Sequence, residues 1–594
     1  MARHQFGLIC WSLVALGLLV GILPRARPTP RTRVLFLGLA VLTLVSALSL
    51  FWTSSAERTL EEVARVSGYA GLATLLLLGL TRREWGLVAT GVFVGGVVVC
   101  ALAVASRLLP ALIEESQSVP GPRLAGSLGY WNALSSWSAA TFTMGLAWSV
   151  ATRRVAHRGL ALATTPIAGI CLYLTYSRGG AAAAVVGLVA VVVLGGNRSR
   201  TIAHAVGAGA VTAMVIAVVR TQPQIAEATG TAGAGWVLLA LAVGCGVAWV
   251  MPRFTRKLRS AHRQRMSIRT ALRFATCVVA LAALAPVVYA LLGEREPVIE
   301  STGIDPAQRL VSVDGNRPGY WATSLAAFGE SPLGGLGAGT FEFYWAREGG
   351  EEEQVRDAHS LFLEHLAELG LLGLGATLIL VTGLLLVSVE PLRSGSRRAA
   401  SVAMPAVVAV FVVHAGADAL WEATAVGALA ITAACSAAAA GSARRSRSPE
   451  SREPRVPDAG RLSRWRVAGV TLVVGLGVGI QIPGLIAGSR LHDAALVGRA
   501  GFTERALELS SDAINATPWA ASPYAVRALL QEAARRPSAA IKDMLEAVKR
   551  EPLNFRYWLA IGRYQQDSGN RAAARAAYEQ VRSLAPLAGP FPGM

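Results

Sequence analysis

The sequence predicts an all-α fold: a polytopic transmembrane helix bundle of 12–14 helices, with a large extracytoplasmic loop and a C-terminal extracytoplasmic α-helical repeat domain. Three observations predict it. Apolar runs near the roughly 20 residues that a helix needs to cross a bilayer recur along the chain. Arginines alternate between rich and poor connections. In the tail, Pro518, Pro552 and Pro586 are spaced 34 residues apart, twice. Composition agrees, because 53% of the 594 residues are hydrophobic and 16% charged, against about 25% charged in soluble domains.

Fourteen segments carry the bundle, at roughly 6–23, 34–51, 67–80, 85–105, 132–150, 160–176, 179–196, 202–219, 234–251, 274–292, 363–389, 401–420, 424–441 and 467–487. The first follows Arg3 like a signal peptide, but a positive cluster comes after it and no small-residue cleavage site, so it reads as a retained helix. The third is short, and the pair around 401–441 admits other cuts. With the N-terminus outside, the connections 24–33, 81–84, 151–159, 197–201, 252–273, 390–400 and 442–466 face the cytoplasm. They hold 30 Lys and Arg residues, against 12 in the opposite connections and the N-terminal tip. One dense cluster is Arg253, Arg256, Lys257, Arg259, Arg263, Arg265, Arg269 and Arg273; another runs from Arg444 to Arg466. The net charge of +19 therefore reads as positive-inside topology in a cytoplasmic membrane and not as a nucleic-acid groove. Trp52, Trp85, Trp131, Trp236, Trp249 and Trp421 fall near segment ends, where an indole suits the lipid–water boundary. Cys10, Cys100, Cys171, Cys245, Cys277 and Cys435 form no CxxC pair and read as small buried hydrophobes without a disulfide or zinc role.

The bundle thus occupies 1–441 and includes an extracytoplasmic loop at 293–358, rich in glycine and bearing Glu348, Glu351, Glu352, Glu353 and Asp357. A basic cytoplasmic linker follows at 442–466, whose arginines can meet anionic lipid. A final transmembrane helix is expected at 467–487, and helical repeats at 488–594. The repeats have amphipathic stretches at 504–517, 539–551 and 572–585. Asn554, Trp558, Leu559, Gly562, Tyr564, Gly569, Ala573 and Tyr578 resemble a tetratricopeptide repeat; the middle repeat is degenerate, with Pro523 and Tyr524 but no matching Trp. Two to three helix hairpins would offer a concave face to a protein partner. The plainer alternative is a helical cap.

Chemistry concentrates where the long loop meets the next apolar helix. His359 and Ser360 begin the pattern H-S-x9-G-x-x-G, which ends at Gly370 and Gly373. Glu364, His365 and Glu368 occupy the first turns of that helix. A neutral imidazole at a helix N-terminus can take a proton from a sugar hydroxyl. The two glycines allow close helix packing. Upstream lies R-x3-W-x6-F-x3-P-L-G-G-L-G-x-G-x-F, from Arg317 through Trp321 and Pro332 to Phe341. Its glycines, including Gly337 and Gly339, are expected to bring backbone N–H groups to an anion. No GK[ST] follows, so this is not a P-loop.

These strings resemble the core of the O-antigen ligase and O-antigen polymerase superfamily. Arg123 to Leu134, with Gly126, Gly129 and Asn132, is similar to the family's R-x-x-G-x-x-G-x-x-N-A-L element; Ser177-Arg178-Gly179 matches its S-R-G turn. The resemblance spans about 34–440, with the ligase-like core at about 123–440. It implies an enzyme that moves a glycan from a polyisoprenyl pyrophosphate carrier to an acceptor hydroxyl at the outer membrane face, in cell-surface polysaccharide biosynthesis, with no cofactor, nucleotide or metal. The acceptor would be a glycan, lipid or protein. By resemblance His359 orients or deprotonates the acceptor, and Arg317 acts with it on the departing pyrophosphate. Arg178, Arg123, Asn132, Ser360, Gly337 and Gly339 are expected to bind substrate. Guanidinium forks suit phosphate oxygens. Fourteen segments exceed the twelve usual in such ligases, the last carrying the tail.

Two further points stay open. His414 and Asp418, four apart on one helix with Glu422 beyond, read either as functional intramembrane support or as a local pair. The resemblance does not choose between a ligase, a repeat-unit polymerase and a protein O-oligosaccharyltransferase. A glycolipid transporter would need internal symmetry and a midplane site, and a scaffold would leave the His359 and Arg317 spacing unexplained. Glu351, Glu352 and Glu353 read as a solvated acidic loop, and no motif suggests a metal.

Overall fold

The computed structural model describes residues 2–25, 29–81, 83–113, 121–255, 268–292, 316–349, 354–393, 399–441 and 464–587. The described residues hold no strand, and the fold is 80% helical. Helices α1 (Ala2–Leu19), α2 (Pro30–Leu48), α3 (Ala56–Gly79), α4 (Trp85–Leu108), α5 (Trp131–Ala151), α6 (Val155–Ala163), α7 (Thr165–Leu174), α8 (Arg178–Leu194) and α9 (Arg198–Arg220) run back and forth through the bundle. After the short α10 (Pro223–Ala226) come α11 (Ala234–Phe254), α12 (Ile268–Leu292), α13 (Arg317–Glu330) and α14 (Phe341–Glu348). Then follow α15 (Leu361–Ser388), the short α16 (Glu390–Arg393), α17 (Ala400–Ala415), α18 (Thr424–Gly441) and α19 (Arg464–Gly479). The tail comprises α20 (Ile482–Arg499), α21 (Thr503–Ala516), α22 (Ser522–Ala533), α23 (Pro537–Arg550), α24 (Phe555–Asp567) and α25 (Arg571–Leu584).

Every expected apolar segment falls on helix, those at 160–176 and 467–487 each on two consecutive helices. Among the described residues nine helical stretches are long and apolar enough to cross a membrane, and α8, α17 and α18 are apolar but shorter. The chain is therefore an all-α polytopic membrane protein. One core cluster runs through α2, α3, α5, α15, α17 and α18, while α7, α9 and α11 pack at one side around Ile170, Val215 and Val237. Helices α2 and α15 approach closely. A Cβ on Gly38 would lie 2.5 Å from Leu380 Cα, and one on Gly383 would lie 2.6 Å from Leu35 Cα. Small residues let helices pack this closely where lipid supplies no hydrophobic drive.

Several expectations change. The helix expected at 67–80 begins at Ala56, capped by the Ser55 side chain, so Arg58 and Arg65 sit on α3 and not in a loop. The single last span is two helices meeting at Gln481, a fully buried residue. Gln481 Nε2 donates to Ala64 O at 2.8 Å and Oε1 lies 3.2 Å from His4 Nδ1. That polar joint, with Pro483 in the first turn, stops α19 from running on. The second of the two helices continues to Arg499. Trp85 and Trp421 lie near helix ends as expected but are buried against protein; the latter tilts against Tyr69 with ring centroids 4.6 Å apart. Cys277 is exposed and Cys245 partly so, unlike the other cysteines. The linker proposed at 442–466 lies outside the described residues up to 463.

Contacts tie one end of the bundle together: residues 49–59, 123–132, 175–176, 317–349, 354–360 and 416–422 meet there. The opposite end joins Arg25 to Glu84 at 2.9 Å, Arg31 to Glu390, and His204 to Ser149 and Thr255 at 2.9 and 2.8 Å.

The tail folds as three pairs, α20 on α21, α22 on α23 and α24 on α25. Helices α21, α23 and α25 begin at Thr503, Pro537 and Arg571, which keeps the 34-residue spacing of the prolines. Gly562 leaves room for Tyr578, whose ring would lie 2.4 Å from a Cβ there. The tail is docked on the bundle by charge. Glu57 accepts from the backbone N–H groups of Ala521 and Ser522 at 2.8 and 2.9 Å, at the positive end of α22. Arg58 bridges Glu342 and Glu551, Ser55 donates to Glu551 at 2.6 Å, and Arg556 pairs with Glu342. Phe555, Val581 and Ala585 close on Ala346. Replacing Arg58 by alanine leaves the buried Glu551 without its guanidinium and Glu342 with Arg556 alone, a loss of about 3–5 kcal/mol in docking. The expected result is a tail that exchanges amide hydrogens faster at 551–556 while α15 keeps its protection; unchanged exchange at 551–556 would contradict this.

Candidate active site

The site is built on a broken helix. Gly370 in α15 has φ 62° and ψ −154°, which interrupts the helical ladder. The loop from Pro332 to Gly337 repairs it. Leu371 N donates to Pro332 O at 2.9 Å and Leu372 N to Leu333 O at 3.5 Å, while Leu336 N and Gly337 N donate to Ala367 O at 3.1 Å and Glu368 O at 2.8 Å. The peptide groups freed by the break thus find partners, as apolar surroundings require. Gly370 serves this break and not helix packing as expected; a Cβ on it would lie 2.4 Å from the carbonyl of Leu333.

The same geometry corrects the expected anion cradle. Gly337 N is spent on Glu368 O at 2.8 Å, and Gly339 N on Glu368 Oε2 at 2.7 Å. Glu368 Oε1 also accepts from Phe341 N at 3.0 Å, capping α14. The two glycines shape the loop, and their N–H groups point inward. Gly335 sits at φ 66°, where a Cβ would be 2.2 Å from the Glu368 carbonyl carbon. Gly335→Ala is therefore expected to cost roughly 3 kcal/mol or more, from backbone strain and overlap together. A thermal-unfolding midpoint equal to the parent's in detergent would refute this.

The helix break aims what precedes it. Ser360, expected to bind substrate, is the buried N-cap of α15, its hydroxyl accepting from Leu363 N at 3.5 Å, so it holds the helix start. His359, just before it, has φ 52°, an uncommon backbone state for a residue with a side chain. Trp321 Nε1 donates to His359 O at 3.4 Å, and the Tyr320 ring lies 5.4 Å from the imidazole. His359 Nδ1 is 2.9 Å from the Asp357 carbonyl. A carbonyl can only accept, so Nδ1 carries the hydrogen and Nε2 is left with the lone pair. The half-buried ring is thus oriented as a base.

Arg317, Tyr320 and Trp321 share one face of α13. The Arg317 guanidinium reaches Asp418, Nη2 to Oδ2 at 2.5 Å. Asp418 is the hub of the site. Its Oδ2 also accepts from Asn132 Nδ2 at 2.6 Å, and its Oδ1 from Tyr130 and from Ala419 N at 2.9 Å. It is not on a helix with His414, because α17 ends at Ala415 and four donors hold the carboxylate in the turn beyond. Burial raises its carboxyl, but the Arg317 guanidinium paired with it outweighs this and holds it below the ordinary carboxylate range. Helix α13 therefore carries both the guanidinium that meets Asp418 and the Tyr320 and Trp321 rings that hold His359.

Arg123 extends the chain of contacts. It donates to Asn132 Oδ1 at 3.2 Å and Thr175 O at 3.0 Å, and stacks on Trp131 with its guanidinium 4.4 Å from the ring centre. It ties the 123–132 element to the 175–176 turn. Arg178 follows that turn as the first residue of α8, half-buried, with Ser177 capping through Gly180 N at 3.1 Å. His414 is fully buried beside Gly179, and neither ring nitrogen has a hydrogen-bond partner among the described residues.

Two features were not assigned from sequence. Tyr130 lies inside the R-x-x-G-x-x-G-x-x-N-A-L string, and only its contact with Asp418 reveals a role. Behind His359 the carboxylate oxygens of Asp357, Glu364 and Glu422 lie within 4.8 Å of one another, a grouping that could hold a cation. Arg65, almost fully buried, pairs with Glu62 at 2.6 Å and with Glu422. Burial, then Glu422, push Asp357 up to about 6. The signal was present in charged residues within the first turns of an otherwise apolar helix. Glu351, Glu352 and Glu353 lie outside the described residues.

The model of the family described as O-Antigen ligase matches residues 225–378. The matched stretch contains Arg317, Gly337, Gly339, His359 and Ser360; Arg123, Asn132, Arg178, His414 and Asp418 lie beyond it. No curated protein matches the chain.

Proposed function

We propose, from the O-antigen ligase domain that this chain carries, that the protein transfers a glycan from a polyisoprenyl pyrophosphate carrier to an acceptor hydroxyl in cell-surface polysaccharide synthesis. The observation that carries the reading is that one helix, α13, sets Arg317 on Asp418 and the Tyr320 and Trp321 rings on His359, with the His359 Nε2 lone pair left open. The acceptor hydroxyl loses its proton to Nε2, its oxygen bonds the anomeric carbon, and the carrier diphosphate leaves with the electrons of the broken C–O bond. Arg317 and Arg178 supply the positive charge that favours this departure, and Arg123 with Asn132 braces the wall beside them.

The arginine distribution supports the orientation. The described arginines Arg25 and Arg31 sit at the end opposite His359, and the arginine excess of the connections on their side of the chain supports a site and tail outside a cytoplasmic membrane. The tail's three hairpins and their 34-residue spacing support a tetratricopeptide-like module with a face for a protein partner. Analysis of lipid-linked glycans in a deletion strain tests the reading. Long chains accumulating on the carrier lipid are expected for a ligase. Accumulated single units would assign a polymerase instead, and an unchanged lipid-linked pool would overturn the proposal.

A further inference from the structure

Close behind His359 negative charge accumulates. Besides Asp357, Glu364 and Glu422, the Glu62 and Glu368 side chains lie within electrostatic range of Glu364. Arg65 is the guanidinium bonded into this group, and it is shared between Glu62 and Glu422. Arg356, the next cation, turns to Glu61 at 3.4 Å, which Arg3 also meets at 3.1 Å. Carboxylates this close repel unless positive charge or protons come between them.

Glu364 supplies the independent observation. It is 7% exposed, yet its side chain has no hydrogen bond or ion pair among the described residues. Buried carboxylates are otherwise paired, hydrogen-bonded or metal-bound. Its oxygens face those of Asp357 and Glu422, which are only half-buried and leave an approach from solvent. Oxygen-only carboxylate ligands favour a hard cation that keeps several waters.

We propose that Asp357, Glu364 and Glu422 bind one hard divalent cation, of the Ca²⁺ or Mg²⁺ class, beside His359. The proposal departs from the metal-free transfer that the family resemblance implies. The ion is a positioning element: it fixes Asp357, whose carbonyl orients the imidazole through Nδ1. Cation binding stands without the glycan-transfer reading, whereas its effect on rate rests on that reading.

The test uses the full chain in nanodiscs of zwitterionic lipid, titrated with Mn²⁺ and followed by electron paramagnetic resonance. One Mn²⁺ displaced by Ca²⁺ or Mg²⁺ is expected, with affinity lowered at least tenfold in Glu364→Gln and unchanged in Glu330→Gln, a surface control. Thermal unfolding of the unmodified protein with and without Ca²⁺ gives a second reading that needs no variant, and a higher midpoint with Ca²⁺ is expected. No Mn²⁺ uptake to millimolar concentration, or equal uptake by Glu364→Gln, would overturn the proposal; the first would assign the cluster to shared protons. Mn²⁺ binding without any glycan transfer would keep the site and reject the transfer reading.

Discussion

Glycan transfer by His359→Ala is expected to fall by about 10²–10⁴-fold, the range supplied by a positioned general base. The geometry behind this is specific. The Asp357 carbonyl fixes which ring nitrogen is bare, Trp321 holds the backbone carbonyl of His359, and Tyr320 lies beside the ring. The loss should appear in kcat with carrier binding retained, because the imidazole is assigned to the acceptor's proton and not to the diphosphate. His359→Gln should be nearly as slow, since an amide can hydrogen-bond but not accept the proton. The measurement is initial rate against lipid-linked donor in nanodiscs. A variant at parent rate removes His359 from the chemistry.

The second large effect belongs to Asp418. Asp418→Ala strands Arg317, Asn132 and Tyr130, three donors now pointing at a void. Removing one partner of a buried pair costs about 3–5 kcal/mol, so the variant should unfold at lower temperature and transfer no glycan. Asp418→Asn separates charge from shape: it fills the space but lets Arg317 drift. Linkage gives a pH consequence. A carboxyl held below its unfolded value of about 3.9 contributes stability above that pH and loses it as the pH falls through the lower folded value. The parent should therefore lose more stability than Asp418→Asn on acidification below about pH 4. Equal acid sensitivity in the two proteins would contradict the assigned role.

What the sequence disclosed and what it concealed divide along distance. Apolar runs and arginine alternation are local, and every expected segment lies on helix. His359 and Arg317 were found through spacing within one stretch. Asp418 as hub was hidden because its donors come from 286 and 101 residues away, Asn132 and Arg317 among them. Glu368 looked like one more polar residue in a first turn. Its task of holding Gly339 and Phe341 depends on the break at Gly370, and the H-S-x9-G-x-x-G pattern does not say that Gly370 leaves the helix. The docking of Glu57 on Ser522, 465 residues apart, could not be read from either segment alone.

The mended break in α15 has a mechanical corollary. Were residues 332–337 to withdraw, Leu371 and Leu372 could bond Ala367 and Glu368 again, as in any uninterrupted helix. Two bonds would form for four given up, with water meeting the released groups. Departure of the loop and straightening of the helix are therefore one movement. Because Glu368 also carries the start of α14, and α14 carries the tail through Glu342, a pull at the far end of the chain would be felt at the residue that opens the helix.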